Sequence, residues 1–134
     1  MAAMTDYLEG QIRAHIFRTA TFAKPTGLTI HLYTGAPGET GGGTEVTGGN
    51  YAAQSLNPLD ANWTAASGTD GKTDNASVIT YPTPNAGWGL VTHMAIKDQS
   101  ANYLFTGTLT AQKTINNGDP APTFPIGALA ITFA

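Results

Sequence analysis

The stretch from Gly87 to Thr106 leaves this chain little choice of secondary structure. Leu90, Met94 and Ile96 alternate with Val91, His93, Ala95 and Lys97, the two-residue period of a strand with one buried face. Thr92 takes its place on the Leu90 face, where a β-branched side chain suits the pleat. Gly87 and Gly89 bracket Trp88, so the backbone can bend there and lay the indole against the sheet. Asp98-Gln99-Ser100-Ala101-Asn102 is turn chemistry, and Tyr103-Leu104-Phe105-Thr106 starts a returning strand. The hairpin so formed is the expected centre of a β-sandwich or jelly roll.

Composition narrows the class further. Only 11% of the 134 residues are charged, against about a quarter in typical soluble domains, and Gly, Thr, Ala and Asn take their place. That balance disfavours a helical bundle and suits an all-β chain that turns often. The length fits one domain with a real core, residues 1–134, with a helix over about 5–18 and a sandwich over about 28–134. Net charge is −3 and the 6 basic residues are scattered, so nucleic acid is not an expected partner. The absence of cysteine removes disulfides, thiolate metal sites and a cysteine nucleophile together. No apolar run approaches a membrane span, and the start lacks the basic and apolar segments of a secretion signal. The expected setting is therefore a cytosol, followed by assembly into something larger, and no membrane.

In chain order, Thr5-Asp6 reads as a helix start, with Glu9 also in reach of the first turn. Leu8, Ile12 and Ile16 form one apolar stripe, while Arg13 and Arg18 suit the C-terminal end. This helix is expected to plug an open end or edge of the sandwich. Pro25-Thr26-Gly27 turns the chain into Leu28-Thr29-Ile30-His31-Leu32-Tyr33, with Leu28, Ile30 and Leu32 facing inward and Thr29, His31 and Tyr33 outward. Thr34 to Gly49 is too rich in glycine for a regular element. A phosphate-cradling role fails because no Gly-Lys-Ser/Thr and no helix start follow. A loop of this kind is expected to be mobile in the isolated subunit and ordered by a partner. Its candidate contact residues are Gly35, Gly38, Glu39, Gly42, Glu45 and Val46, with Tyr51 just beyond.

Tyr51 to Leu56 is a weak strand signal, and Trp63 is the one large anchor in the turn-rich run from Asn57 to Asp74. Asp70-Gly71 permits a tight turn. Ser77 to Tyr81 is a strand that Pro82 and Pro84 end. Gly107 to Thr110 and Lys113 to Ile115 continue the strand pattern, Asn116-Asn117-Gly118-Asp119 is a turn, and Ala128 to Phe133 closes as a strand with Leu129, Ile131 and Phe133 inward. The sum is an all-β, β-sandwich or jelly-roll-like domain with one short N-terminal helix.

Catalytic chemistry has no foothold in the pattern. His15, His31 and His93 sit on one helix and two different strands, without the spacing of a metal motif. Ser55, Ser67, Ser77 and Ser100 lack a nucleophile elbow. The acids, Asp70 and Asp74 included, fall mostly in predicted loops, with no calcium-loop register and no convergent pair. No catalytic, cofactor-binding or metal-binding residue is expected, and no cofactor.

The order of segments resembles a known family. An amphipathic helix precedes Leu28-Thr29-Ile30-His31-Leu32-Tyr33-Thr34, which runs into Gly35-Ala36-Pro37-Gly38. Then come Gly43-Thr44-Glu45-Val46, Gly48-Gly49-Asn50-Tyr51-Ala52-Ala53-Gln54, Trp88-Gly89-Leu90-Val91-Thr92-His93, and Gly118-Asp119 before an alternating strand. This is similar to small tailed-bacteriophage virion proteins labelled as tail-fibre or head-decoration proteins, although Ala53 stands where that family often carries arginine. The resemblance implies a virion structural protein, assembled in the host bacterial cytoplasm and acting through contacts with other virion proteins. It is expected either as a capsid cement or decoration subunit or as a tail-fibre subunit. A homo-oligomer is expected, a trimer first, because symmetric sites are the rule for assembly subunits. The competing expectation is an adhesin module that binds a host-surface glycan, with Trp63 or Tyr51 as its aromatic platform.

Overall fold

The computed structural model describes residues 2–65 and 71–133, so Asp70 of the expected Asp70-Gly71 turn, and Ser67, lie outside the described residues. Ten strands and one helix follow in the order β1 (Ala2–Met4), α1 (Asp6–Phe17), β2 (Leu28–Gly35), β3 (Thr44–Glu45), β4 (Gln54–Ser55), β5 (Lys72–Asp74), β6 (Ile79–Thr80), β7 (Gly89–Asp98), β8 (Tyr103–Ile115), β9 (Thr123–Phe124) and β10 (Ala130–Thr132). Eight strands form one mixed sheet, ordered β3-β2-β7-β8-β1-β10-β5, with β4 also on β2; β6 and β9 form a small second sheet. The result is sandwich-like and mostly β, with its single helix near the N-terminus.

The predicted hairpin lies at the centre. β7 pairs antiparallel with β2 from Leu28↔Asp98 to Tyr33↔His93, and with β8 on its other side. Buried Asp98 closes the turn: its carboxylate accepts from the Ser100 and Asn102 backbone N–H groups, both at 2.9 Å, and from the Asn102 amide at 3.0 Å. Ala101 takes the left-handed conformation (φ 64°) that the turn requires. Ile30, Leu32, Met94, Ile96, Phe105 and Ile131 build the core on one face of the sheet. Ile79 and Tyr81 join it from the other layer, with Phe124 packed against them.

The alternation does not run unbroken along β7. Val91 is buried and Leu90 is 48% exposed, the reverse of the expected register. Pairing shifts between Val91 and His93, where Thr92 faces the bulged run Leu109-Thr110-Ala111-Gln112 of β8. A bulge bends and twists its strand, which exchanges the inward and outward sets on its far side. The two separate strand segments expected at 107–110 and 113–115 are accordingly parts of one long β8.

Four strands escaped the sequence: Ala2–Met4, Thr44–Glu45, Lys72–Asp74 and Thr123–Phe124. Each is too short to show a period. The helix begins as expected, with the Thr5 hydroxyl accepting from the Leu8 N–H at 3.4 Å, and it packs against the start of β8. Its expected stripe is only half used, since Leu8 is buried and Ile12 half-buried but Ile16 is 62% exposed. Phe133, expected inward, is exposed beyond the end of β10, while Leu129 and Ile131 are buried as expected.

Candidate functional site

Of the residues singled out for partner contact, Gly35, Glu45, Val46 and Tyr51 lie along the outer edge of β2, while the 38–42 stretch passes over the sheet toward Tyr103 and the start of α1. The outer edge has a gap. The Leu28 carbonyl accepts from Leu56 N–H and the Leu32 carbonyl from Val46 N–H, both at 3.0 Å, but β3 and β4 do not meet between them. Two tyrosine hydroxyls supply the missing rungs. Leu32 N–H donates to the Tyr51 hydroxyl at 2.9 Å, and the Tyr81 hydroxyl donates to the Ile30 carbonyl at 3.0 Å. Backbone polar groups taken from water need partners, and here side chains from 19 and 51 residues away provide them.

Aromatic packing holds these hydroxyls in place. Tyr51 stacks on Tyr81 at 6.2 Å between centroids and meets Trp88 edge-on at 5.4 Å; Tyr81 meets Phe124 edge-on. Trp88 is buried as expected and donates its indole N–H to the Gly49 carbonyl at 2.8 Å. Burial first, then the neighbouring Tyr51 hydroxyl and Glu45, drives the Tyr81 hydroxyl well above the ordinary tyrosine range. Burial raises Tyr51 as well, against an opposing backbone hydrogen bond from Leu32.

Tyr33, expected outward, is 1% exposed. Its face of the sheet is covered too: its hydroxyl meets that of Tyr103 at 3.0 Å, and Gly41 lies over the Tyr103 ring. A Cβ on Gly41 would come within 2.7 Å of that ring. The same burial, reinforced by the Tyr103 hydrogen bond, raises the Tyr33 hydroxyl.

The glycine-rich segment, expected to await a partner, is packed on its own chain. Gly43 (φ 75°) leaves no space for a side chain, since a Cβ would lie 2.7 Å from the Gly35 carbonyl oxygen and the Pro37 nitrogen. Thr44–Glu45 is a regular strand, against the expectation that glycine would forbid one. Of the expected contact residues, Val46 is 3% exposed and belongs to the core. Glu45 and Tyr51 are half-buried and already engaged, and Gly35 is half-buried in β2. Gly38, Glu39 and Gly42 remain exposed and form a rim.

Inside the rim runs a polar chain that the sequence did not announce. His31 Nδ1 meets the Glu45 carboxylate, His31 Nε2 meets the Thr29 hydroxyl at 2.9 Å, and the Tyr51 hydroxyl donates to Glu45 at 3.1 Å. Hydroxyl, imidazole and carboxylate stand in the order of a nucleophile relay. Yet Thr29 lies on a sheet face one residue from the start of β2, and neither of the two concavities that flank the sheet reaches it. The chemistry available is a cross-strand lock between β2 and β3. His93 is bonded apart from it, to the hydroxyls of Thr92 and Thr108. Among the described residues no three His, Asp or Glu side chains converge as metal ligands.

A second missed residue is Asn75, fully buried, whose amide donates to the Ser77 and Pro125 carbonyls at 2.9 and 3.0 Å and accepts from Leu129 N–H at 2.9 Å. It ties the 125–129 segment to β5. In the sequence it falls between the turn-rich run that ends at Asp74 and the strand that starts at Ser77, and no local pattern marks it.

Two concavities flank the sheet. An apolar groove of about 590 Å³ runs between β8 and the Pro120–Pro125 segment, floored by the core residues Leu32, Val91 and Met94. A second, of about 580 Å³, has Trp63 in its wall with Lys24, Asp60, Thr64 and Thr73 beside it. Trp63 itself is half-buried and donates its indole N–H to the Leu56 carbonyl at 3.2 Å.

No curated protein matches the chain. A protein family described as podophage GP4 fiber I protein gp80 matches residues 3–132, from β1 to the end of β10. With that match spanning both sheets, the helix and the glycine-rich rim, the chain belongs to the podophage GP4 fiber I protein family, a family of phage tail-fibre proteins.

Proposed function

We propose that the chain is a structural subunit of a phage fibre, acting through protein–protein contacts rather than through chemistry. The family match over residues 3–132 carries this reading. The exposed rim at Gly38, Glu39 and Gly42 and the exposed end of α1, with Ile16 and Phe17, are its contact surfaces to other virion proteins and to further copies of itself. Self-association as a trimer suits a fibre, whose length axis is compatible with cyclic symmetry. Capsid decoration is the other location open to a virion protein of this kind. Cryo-electron microscopy of the parent particle tests the reading: density for this fold on the tail is expected, and density only on the capsid shell would replace the fibre role with a cement role. Replacing Glu39 with Lys and Phe17 with Asp is expected to reduce incorporation into particles while thermal melting stays near that of the parent.

One observation favours a second reading, host glycan binding. An aromatic wall flanked by a cation, a carboxylate and hydroxyls is the chemistry that stacks on and hydrogen-bonds a sugar, and Trp63 with Lys24, Asp60, Thr64 and Thr73 offers it. Glycan-array binding lost in Asp60→Ala and Lys24→Ala variants would support it; an array without any bound glycan would remove it.

A further inference from the structure

Strand β1 joins the two parts of the large sheet. On one side it pairs with β8, from Ala2↔Gly107 to Met4↔Phe105, and on the other it meets β10 at Ala2↔Ile131. Both β10 and β5 reach the β2-β7-β8 body of the sheet only across β1. The sheet is therefore incomplete without a segment contributed from the far end of the sequence. Helix α1 follows directly, anchored where Thr5 N–H donates to the Leu104 carbonyl at 3.0 Å and Asp6 N–H to the Glu39 carbonyl at 3.3 Å.

The connection back to the body is loose. Residues 18–27 contain no helix or strand and are mostly exposed. They touch the body through exposed hydrogen bonds from Lys24 Nζ to the Pro58 carbonyl at 3.2 Å and from Thr26 N–H to Gln99 at 3.1 Å, whose loss water largely compensates. Phe22 is half-buried against the core. Such a linker spans up to roughly 33 Å when extended, against a radius of gyration of about 14 Å for a chain of this size. It is long enough to seat the preceding segment in a neighbouring copy.

Every contact that residues 2–17 make with their own body is available unchanged in a second copy, so exchange costs little beyond rearranging the linker. The docked arm also leaves apolar surface in water at its hinge: Ile16 is 62% and Phe17 79% exposed. Both directly precede the connection that would cross between bodies in an exchanged arrangement, so a second body could cover them.

We propose that residues 2–17 form an exchangeable arm, with β1 of one subunit filling the slot between β8 and β10 of the next and α1 crossing with it. This rests on the reading of the chain as a self-associating fibre subunit and specifies how the copies are joined.

The chain has no cysteine, so introduced thiols report pairing directly. Ala3 and Thr106 are register partners on antiparallel strands, which places their Cα atoms about 4.5–5.5 Å apart, within disulfide range. Differently tagged Ala3→Cys and Thr106→Cys chains are produced in the same cells, assembled, oxidised and run on a non-reducing gel. Exchange yields a covalent dimer joining the two tags. The Ala3→Cys/Thr106→Cys double variant then gives covalent oligomers, and a Thr29→Cys/Lys97→Cys pair between β2 and β7 closes within one chain as the control. A sedimenting oligomer whose double variant closes only within single chains overturns the exchange but leaves self-association standing. A monomer at all concentrations, closed on itself, overturns both. If the double variant fails to fold, the mixed single variants decide alone.

Discussion

The two edges of β2 meet the same obligation by different means. Toward β7 the strand has an unbroken register of backbone pairs from Leu28 to Tyr33. Away from β7 it has short pieces of strand with two tyrosine hydroxyls between them. Both edges satisfy the backbone, as burial demands. The inner edge depends on shape and apolar packing, which no ordinary change of solvent removes. The outer edge depends on two ionisable groups held by an aromatic stack, and it inherits their chemistry.

Alkaline pH should separate the two edges most strongly. Tyr33, Tyr51 and Tyr81 have hydroxyls raised above the unfolded value of about 10. The folded state therefore holds their protons more tightly than the unfolded state does. The stability linked to them is fully present below about pH 10 and falls as pH rises beyond it. The share of the tyrosinate absorbance that belongs to these three residues should accordingly appear only as the fold melts, together with the loss of circular dichroism. Smooth titration of all 5 tyrosines before melting would show that the outer edge is open to water.

The inner edge should respond to volume rather than to pH. Ile96→Ala, at a site 2% exposed, and Leu32→Ala, at 4%, should each cost about 2–5 kcal/mol in denaturant melts. A loss no larger than that of a surface substitution would put those side chains outside the core.

The smallest effect isolates one rung. Tyr81→Phe keeps the stack on Tyr51 but leaves the Ile30 carbonyl without its donor, a cost of about 1–3 kcal/mol. In the same variant the alkaline transition should shift upward, because one of the raised hydroxyls is gone.

How much of this was legible follows the same division. The β7–β8 hairpin, its Asp98 turn, the Thr5 helix cap and the inward set Ile30, Leu32, Met94 and Ile96 are local patterns, readable because neighbours in sequence are neighbours in space. The candidate site was legible only as a glycine-rich segment. That Gly38, Glu39 and Gly42 stay at the surface while Val46 joins the core depends on where the segment lands, and glycine spacing carries no such information. Gly41 and Gly43 are glycines because a ring and a backbone occupy the space their side chains would need. Read in sequence, they suggested mobility.

Sequence alone determined that this chain is β-rich, with a capped helix near its N-terminus and its hairpin at the centre. Two-residue alternation, capping chemistry and turn residues act over a few positions and need no distant partner. Only the tertiary structure decided that Tyr51 and Tyr81 complete the edge of β2, that Asn75 binds the 125–129 segment, and that Ala2–Met4 joins the sheet at Phe105–Gly107. Each of these joins residues far apart in the chain through backbone groups or single polar atoms. Such contacts leave no period to read, because their specificity lies in the geometry of the folded chain.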